Sequence, residues 1–227
     1  MTPERRKIMG DALGVALAVA AYGVAFGATA RTSGATVAQA CSLSLLMFTG
    51  ASQSALISVL GTGGTVAAAL SVTWLLGARN GLYAMRLSAL LPRSLGRRVG
   101  AAHFVIDETM AMAVARETPE LGRFAFWSTA LMLFSFWNIA TLVGALAGGL
   151  IDDPAKFGLD VAFPAAFLAL VAPQLRGRSA MRTGAVAVLI ALVAIPLTPK
   201  GLPVLLCALA ALVGAAPIRR SYAKPGQ

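Results

Sequence analysis

Charged residues are scarce in this sequence of 227 residues, since Asp, Glu, Lys and Arg make up only 12% of it and 58% is hydrophobic. A soluble domain has about 25% charged residues. Histidine occurs once and cysteine twice, and the two cysteines lie far apart in apolar runs. A zinc site built from closely spaced Cys and His pairs is therefore excluded, and so is an ordinary soluble protein.

Acidic residues are fewer than basic ones, and the formal net charge is +10. The basic residues form short clusters between long apolar runs, however, and do not form the continuous solvated stripe of a nucleic-acid-binding protein. The positive charge therefore belongs to loops, and we expect no nucleic-acid partner.

Motifs for nucleotide binding and hydrolysis are also missing. The glycine-rich segment 61–65 lacks the lysine of a phosphate-binding loop. Neither a G-x-S-x-G elbow nor an HExxH pair occurs. The sequence predicts no metal, no cofactor and no enzymatic activity.

Long uncharged runs fill the sequence instead. A bilayer core takes about 20 helical residues, and the runs show no period-2 alternation of the kind that marks a membrane barrel. We therefore expect an all-α, polytopic integral membrane bundle of six to seven transmembrane helices, the first of them retained and not a cleaved signal. The uncharged runs are 12–30, 32–78, 124–151, 161–175, 183–199 and 201–218.

Lysine and arginine residues give the orientation, because cytoplasmic loops are enriched in them. If both termini are cytoplasmic, only Arg31, Lys156 and Lys200 among the assigned cations fall on the outer side. We therefore predict a single transmembrane domain over residues 1–227 with both termini inside. Its cytoplasmic parts would be 1–8, 93–123 and 218–227.

The number of crossings between residues 32 and 92 must be odd under this orientation. Three crossings over 35–60, 62–78 and 79–92 satisfy the condition. One crossing with a re-entrant pair satisfies it equally, since broken backbone is tolerated where protein or a water-filled cavity surrounds it. We predict a discontinuous or re-entrant element around 48–92.

Small residues mark two candidate packing faces. Gly23 and Gly27 are four residues apart, as are Gly144 and Gly148, and such spacing lets two helix backbones approach closely. The faces would pack within the chain or against a second copy or partner.

Polar residues inside membrane runs are costly and indicate function by default. The first cluster has glycine at position 50, where a helix is weakened, and polar side chains beside it. It would either line a substrate cavity or supply bonds between helices. Its candidate substrate-binding residues are Gly50, Ala51, Ser52 and Gln53.

The second cluster consists of Arg79, Asn80, Tyr83 and Arg86. Positions 79, 83 and 86 share one helix face, which would line a wet cavity or lie at the headgroups. Arg79, Asn80 and Tyr83 are further candidates for substrate binding.

The third cluster holds His103, Asp107 and Glu108 in an otherwise apolar stretch. On a helix, residues 103 and 107 would bring an imidazole to a carboxylate. We regard these three as candidates for proton coupling, although an interfacial amphipathic helix would show the same residues to water.

In the order and spacing of four segments, the chain resembles the AzlC family, the large subunit of bacterial branched-chain amino acid exporters, from about Tyr22 to Arg176. These segments are Phe48-Thr49-Gly50-Ala51-Ser52-Gln53, Arg79-Asn80-Gly81-Leu82-Tyr83, Asp107-Glu108-Thr109 and Gly158-Leu159-Asp160-Val161-Ala162.

The resemblance implies export of hydrophobic amino acids such as valine, leucine, isoleucine or methionine from the bacterial inner membrane. It also implies a small membrane partner of the AzlD type. Intramembrane polar clusters and a broken helix suit secondary transport, here with proton coupling. The alternatives are a permease subunit energised by a separate ATPase, an intramembrane enzyme that uses the third cluster as acid and base, and a membrane scaffold.

Overall fold

The computed structural model of the protein describes residues 1–92, 94–150, 177–199 and 202–215, and the single positions 168, 172 and 175. Every regular element in these residues is a helix, which confirms the all-α prediction. The predicted cytoplasmic tail 218–227, and the span 161–175 apart from the three single positions, lie outside the described residues.

The chain divides into two compact units, Met1–Ala166 and Phe167–Gln227. Helices α1 to α7 belong to the first unit: α1 Pro3–Thr32, α2 Val37–Met47, α3 Gly50–Gly61, α4 Val66–Arg86, α5 Leu95–Ala102, α6 Asp107–Val114 and α7 Pro119–Gly148. Helices α8 to α10 belong to the second: α8 Arg178–Leu197, α9 Leu202–Cys207 and α10 Ala210–Ala215.

Three helices, α1, α7 and α8, are long and apolar enough to cross a membrane by length and composition. Helices α1 and α7 are each 30 residues long and begin with the same tripeptide, Thr-Pro-Glu, at 2–4 and 118–120. In both, the threonine hydroxyl accepts a hydrogen bond from the backbone N–H three residues later. Proline at the first helical position and an acid in the first turn complete the start signal.

Helices α1 and α7 pack in parallel, with residue numbers rising together along the contact. Gly23 lies against Ala140, and Arg31 lies against Gly149. A β-carbon at Gly27 would overlap the carbonyl oxygen of Thr141. The glycines of both four-residue spacings thus face this one contact, and the prediction of packing within the chain is confirmed.

The chain between residues 33 and 61 forms a hairpin of two half-length helices, α2 and α3. A β-carbon at Gly61 would lie 2.6 Å from the Ser33 hydroxyl oxygen, so the hairpin ends where it began, at the Gly148 end of α7. Along α2, the Ser44 hydroxyl donates to the Thr141 hydroxyl at 3.3 Å. This half-length hairpin matches the re-entrant alternative, although it spans 33–61 and the prediction placed the element around 48–92.

The turn of this hairpin is at Phe48 and Thr49. Phe48 has a left-handed backbone, with φ of 31° and ψ of 50°, which is uncommon for a residue other than glycine. Its ring packs against Phe134 with centroids 4.9 Å apart. Phe134 is near the middle of α7, whose 30 residues extend about 45 Å, so the hairpin reaches half-way along the bundle.

Helix α4 then runs without interruption from Val66 to Arg86. The alternative with separate crossings at 62–78 and 79–92 is therefore wrong, because Arg79 lies within a continuous helix. The Thr65 hydroxyl caps the start of α4 by accepting from the Ala68 N–H at 3.1 Å, and this cap determines where the helix begins.

A second hairpin follows, and it enters from the opposite end. A β-carbon at Gly122, near the Pro119 end of α7, would contact both Leu90 and the Ala113 carbonyl. Between these residues the chain reaches Phe104, whose ring centroid is 5.5 Å from that of Phe134. Segment 93–123, predicted as cytoplasmic, thus extends to the middle of α7.

Residues 103–106 form the turn of the second hairpin, between the end of α5 and the start of α6. His103 and Asp107 are therefore not one turn apart on a continuous helix, and the predicted imidazole–carboxylate pair on one helix face is wrong. The hairpin is anchored by an apolar core that consists of Leu87, Leu91, Ala101, Val105, Ala113 and Phe126.

Helices α9 and α10 pack on α8 in the second unit. The Cys207 thiol donates to the Ala187 carbonyl at 3.3 Å. The run 201–218 predicted one span, but the described part, up to residue 215, has two six-residue helices, and nothing in the sequence Ala208-Leu209 accounts for the break.

Candidate functional site

The two hairpin tips meet midway along α7 in a cluster of four rings. Phe48 comes from the first tip, His103 and Phe104 come from the second, and Phe134 comes from α7. Ring centroids within the cluster lie 4.9 to 6.0 Å apart. His103 therefore belongs to an aromatic contact, with its ring stacked 5.9 Å from that of Phe48.

Helix α3 begins at Gly50, immediately after the first tip. A β-carbon at Gly50 would lie 3.0 Å from Cη2 of Trp137, so the absence of a side chain at Gly50 lets the Trp137 indole of α7 pack directly against the start of α3. The indole N–H of Trp137 is buried and finds no partner among the described residues. Trp137 was not among the predicted site residues, although a Trp-Asn pair in the middle of the apolar run 124–151 was a usable signal.

Gln53 is completely buried, with 0% of its surface exposed. Its side-chain N–H donates to the Leu43 carbonyl at 2.9 Å, which ties α3 to α2 across the hairpin. Its amide oxygen is buried and has no partner in the part of the chain that the structure describes. Gln53 thus braces the hairpin and retains one free acceptor, while Ala51 beside it is half-buried.

Ser52 is buried between α3 and α4. Its hydroxyl donates to the Thr73 carbonyl at 3.3 Å and accepts from the Thr49 hydroxyl at 3.3 Å. A β-carbon at Gly77 would lie 3.7 Å from the Ser52 hydroxyl oxygen, so the hydroxyl lies against this turn of α4. These contacts hold the first tip against the middle of α4.

Arg79, on the next turn of α4, forms an ion pair with Asp107 at the start of α6. Nη2 of Arg79 lies 2.7 Å from a carboxylate oxygen of Asp107, and their side chains are 36% and 41% exposed. Nε of Arg79 is buried and has no hydrogen-bond partner within the described ranges. The structure thus joins the second and third sequence clusters in one charged pair.

The other predicted residues of the second and third clusters lie on the same two helices, α4 and α6. The Tyr83 hydroxyl faces Asp107, and Glu108 is half-buried beside it. The side-chain oxygen of Asn80 is buried with no partner among residues that the structure describes. Arg86, by contrast, is exposed at the end of α4, so the predicted stripe divides into an inner part and a solvent-facing end.

Thr109 shapes the tip that carries the acids. Its hydroxyl accepts from the Ile106 N–H at 3.0 Å and donates to the Phe104 carbonyl at 2.7 Å. Asp107 and Glu108 therefore occupy the first turn of α6, where the helix dipole favours negative charge. Within the described residues, no group of three His, Cys, Asp or Glu side chains could hold a metal ion.

A cavity of about 970 Å³ opens within the first hairpin, toward the Gly148 end of α7. Its walls are mainly apolar, and Gln39, whose side-chain oxygen is bonded to the Thr36 N–H, is among its few polar residues. The apolar part of the lining includes Leu43, Leu46, Met47, Leu56, Ile57 and Leu60. The cavity suits apolar groups at one end of the bundle.

Comparison with known proteins agrees with the resemblance in the motifs. The family model described as AzlC protein matches residues 14–151, which include every residue of the site. A relative in Archaeoglobus fulgidus, described as an uncharacterized membrane protein, is 33% identical over 169 residues, covering 71% of this chain and 73% of the relative. No solved structure matches the chain.

Proposed function

Because this chain belongs to the AzlC family of membrane proteins, we propose that it is the large subunit of an exporter of hydrophobic amino acids. The substrates would be valine, leucine, isoleucine or methionine. Transport would be secondary and coupled to protons. The chain would be a multi-pass protein of the bacterial inner membrane, with a small AzlD-type membrane subunit as its partner.

One observation carries this proposal: two half-length hairpins enter the bundle from opposite ends of α7, and their tips meet beside an ion pair. Transporters build substrate sites near the bilayer midplane from broken helices that face opposite sides. Phe48 and Phe104 mark the two tips, with their centroids 6.0 Å apart. Movement of either hairpin would open the site toward one side of the membrane.

Unpaired polar groups on α3, α4 and α7 support a solute site. Buried polar groups are normally hydrogen-bonded, and each unpaired one costs about 1–3 kcal/mol. The side-chain oxygens of Gln53 and Asn80 and the indole N–H of Trp137 have no partner among the described residues. We propose that Gly50, Ala51, Ser52 and Gln53 present such groups to substrate.

Proton coupling requires an acid near the site that titrates during the transport cycle. Asp107, Glu108 and His103 all lie at the second tip, and we propose that one of the two carboxylates carries the proton. Glu108→Gln would keep the shape of the side chain and lose its titration. We expect this variant to lose gradient-driven transport but to retain leucine exchange, whereas Glu117→Gln, at an exposed acid of the same segment, should behave as the unaltered protein.

Everted membrane vesicles test the transport proposal. Vesicles from cells that express the chain with its small subunit should take up labelled leucine when their lumen is acidic, and nigericin should abolish the uptake. Vesicles from cells without the chain are the control. Uptake that needs ATP and survives collapse of the gradient would favour an ATP-driven permease, and absence of uptake for all four amino acids would overturn the proposal.

The proposed small subunit needs a surface on this chain to which it can bind. The outward-facing side of α4 is apolar, with Val66 65% and Trp74 79% exposed, and such a surface meets either lipid or another membrane helix. A tagged chain should retain the small subunit through purification in mild detergent. Failure to co-purify after chemical cross-linking in the membrane would argue against a stable complex.

A further inference from the structure

We propose that Arg79 and Asp107 form a two-ended subsite for a zwitterionic α-amino acid. In the structure the two side chains neutralise each other. A bound substrate would separate them and place its carboxylate on Arg79 and its ammonium group on Asp107. This inference rests on the transport function proposed above and specifies which chemical groups the site recognises.

The exposure of the pair permits such an exchange. The Arg79 and Asp107 side chains are 36% and 41% exposed, so neither charge is enclosed by the hairpins. Arg79 lies on α4 and Asp107 lies on α6, and α6 belongs to the second hairpin. Insertion of a solute between them therefore needs a shift of a helix pair and no break within a helix.

Arg79 has unused capacity for a carboxylate. A guanidinium binds a carboxylate best through two parallel N–H groups, and Arg79 approaches Asp107 through Nη2. Nε is buried without a partner in the described part of the chain. The arginine thus presents a buried donor that its present acid partner does not satisfy.

A second unpaired polar group lies on α4. The Asn80 side-chain oxygen, next to Arg79 in sequence, is buried and unpaired within the described residues. An ammonium group has three donors, and the Asp107 carboxylate would accept from it. Glu108 stays free to carry the proton, so substrate binding and proton coupling would use different carboxylates.

Charge balance explains why the ligand must be a zwitterion. The empty pair has no net charge, and a zwitterion that separates the two side chains pairs each of them again. A ligand with only a carboxylate would leave Asp107 unpaired, and one with only an amine would leave Arg79 unpaired.

Ligand analogues test this without any substitution. In everted vesicles containing the chain and its small subunit, unlabelled leucine should inhibit labelled leucine uptake. The keto acid 4-methyl-2-oxopentanoate, isoamylamine and leucinamide, which each lack one charged end, should inhibit at least tenfold more weakly. Inhibition by the keto acid or the amine that equals inhibition by leucine would overturn the subsite.

Substitution of either member of the ion pair tests the subsite independently of the ligand analogues. Arg79→Gln and Asp107→Asn should each raise the KM for leucine at least tenfold, while Arg86→Gln, on the exposed end of the same helix, should leave KM unchanged. Surface expression measured in the same vesicles separates loss of protein from loss of binding. An unchanged KM in both pair variants would overturn this inference alone, whereas absence of uptake of all four amino acids by the unaltered chain would overturn the transport function as well.

Discussion

Replacing Gly27 by alanine tests the contact between α1 and α7 that orders the whole first unit. The added methyl group would overlap the Thr141 carbonyl and lie 2.6 Å from the Ala145 backbone nitrogen. Both obstacles are backbone atoms, so a change of rotamer cannot relieve the overlap. The two helices must move apart instead, and close packing is lost along their shared face.

The magnitude follows from two opposed effects. Alanine is favoured over glycine within a helix by up to about 1 kcal/mol, whereas overpacking a close contact costs typically about 1–3 kcal/mol and sometimes more. Because the clash is with backbone on a second helix, we expect a net loss of about 2 kcal/mol. For a chain of this size that corresponds to a fall in melting temperature of roughly 4–8 °C.

Gly14→Ala is the matched control, because a β-carbon at Gly14 meets nothing within 4 Å in the same helix. Thermal unfolding in detergent, followed by the fraction of protein that remains monodisperse, measures both variants. Gly14→Ala should melt at or slightly above the temperature of the unaltered protein. If Gly27→Ala melts no lower than Gly14→Ala, the parallel packing of α1 on α7 is refuted.

Three further predictions concern the hairpins and the orientation. Gln53→Leu removes the bond to the Leu43 carbonyl and should destabilise the protein by about 1–3 kcal/mol, measured by the same unfolding assay, with no change if the brace is absent. The double variant Ser33→Cys, Gly61→Cys should form a disulfide on oxidation, detected as linked peptides by mass spectrometry. A disulfide in the double variant Ser33→Cys, Arg98→Cys instead would contradict the re-entrant hairpin. The orientation is tested in a background without the native cysteines. There, Ser33→Cys should react with an impermeant maleimide from outside, and Arg98→Cys should react only after permeabilisation. The reverse labelling would invert the topology.

Local features of this protein were predictable from its sequence. The shortage of charge and the long uncharged runs indicated an all-helical membrane protein, because lipid admits no unpaired backbone. The first polar cluster lies directly after the turn of the first hairpin at Phe48 and Thr49, and its glycine was expected to weaken the helix there. The tripeptides at 2–4 and 118–120 mark helix starts through their own side chains.

Contacts between distant elements were decided only by the tertiary structure. Helical periodicity specifies which residues share a face of one helix, but it does not specify which helix that face meets. Arg79 was therefore placed correctly beside Tyr83, while its partner Asp107 on α6 was not foreseen. His103 was assigned to a carboxylate because the chain was assumed to be helical through residues 103–106, where the structure has a turn.

The sequence also did not decide whether the chain between residues 33 and 61 crosses the membrane or turns back to the side it came from. Two helices of 11 and 12 residues have together the length of one full span, so a broken crossing and a re-entrant pair have the same sequence pattern. Tertiary contacts distinguish the two alternatives in favour of the re-entrant pair, because Gly61 lies against Ser33 and Gly50 lies against Trp137. Such contacts depend on close fit between residues far apart in the chain, which no local pattern records.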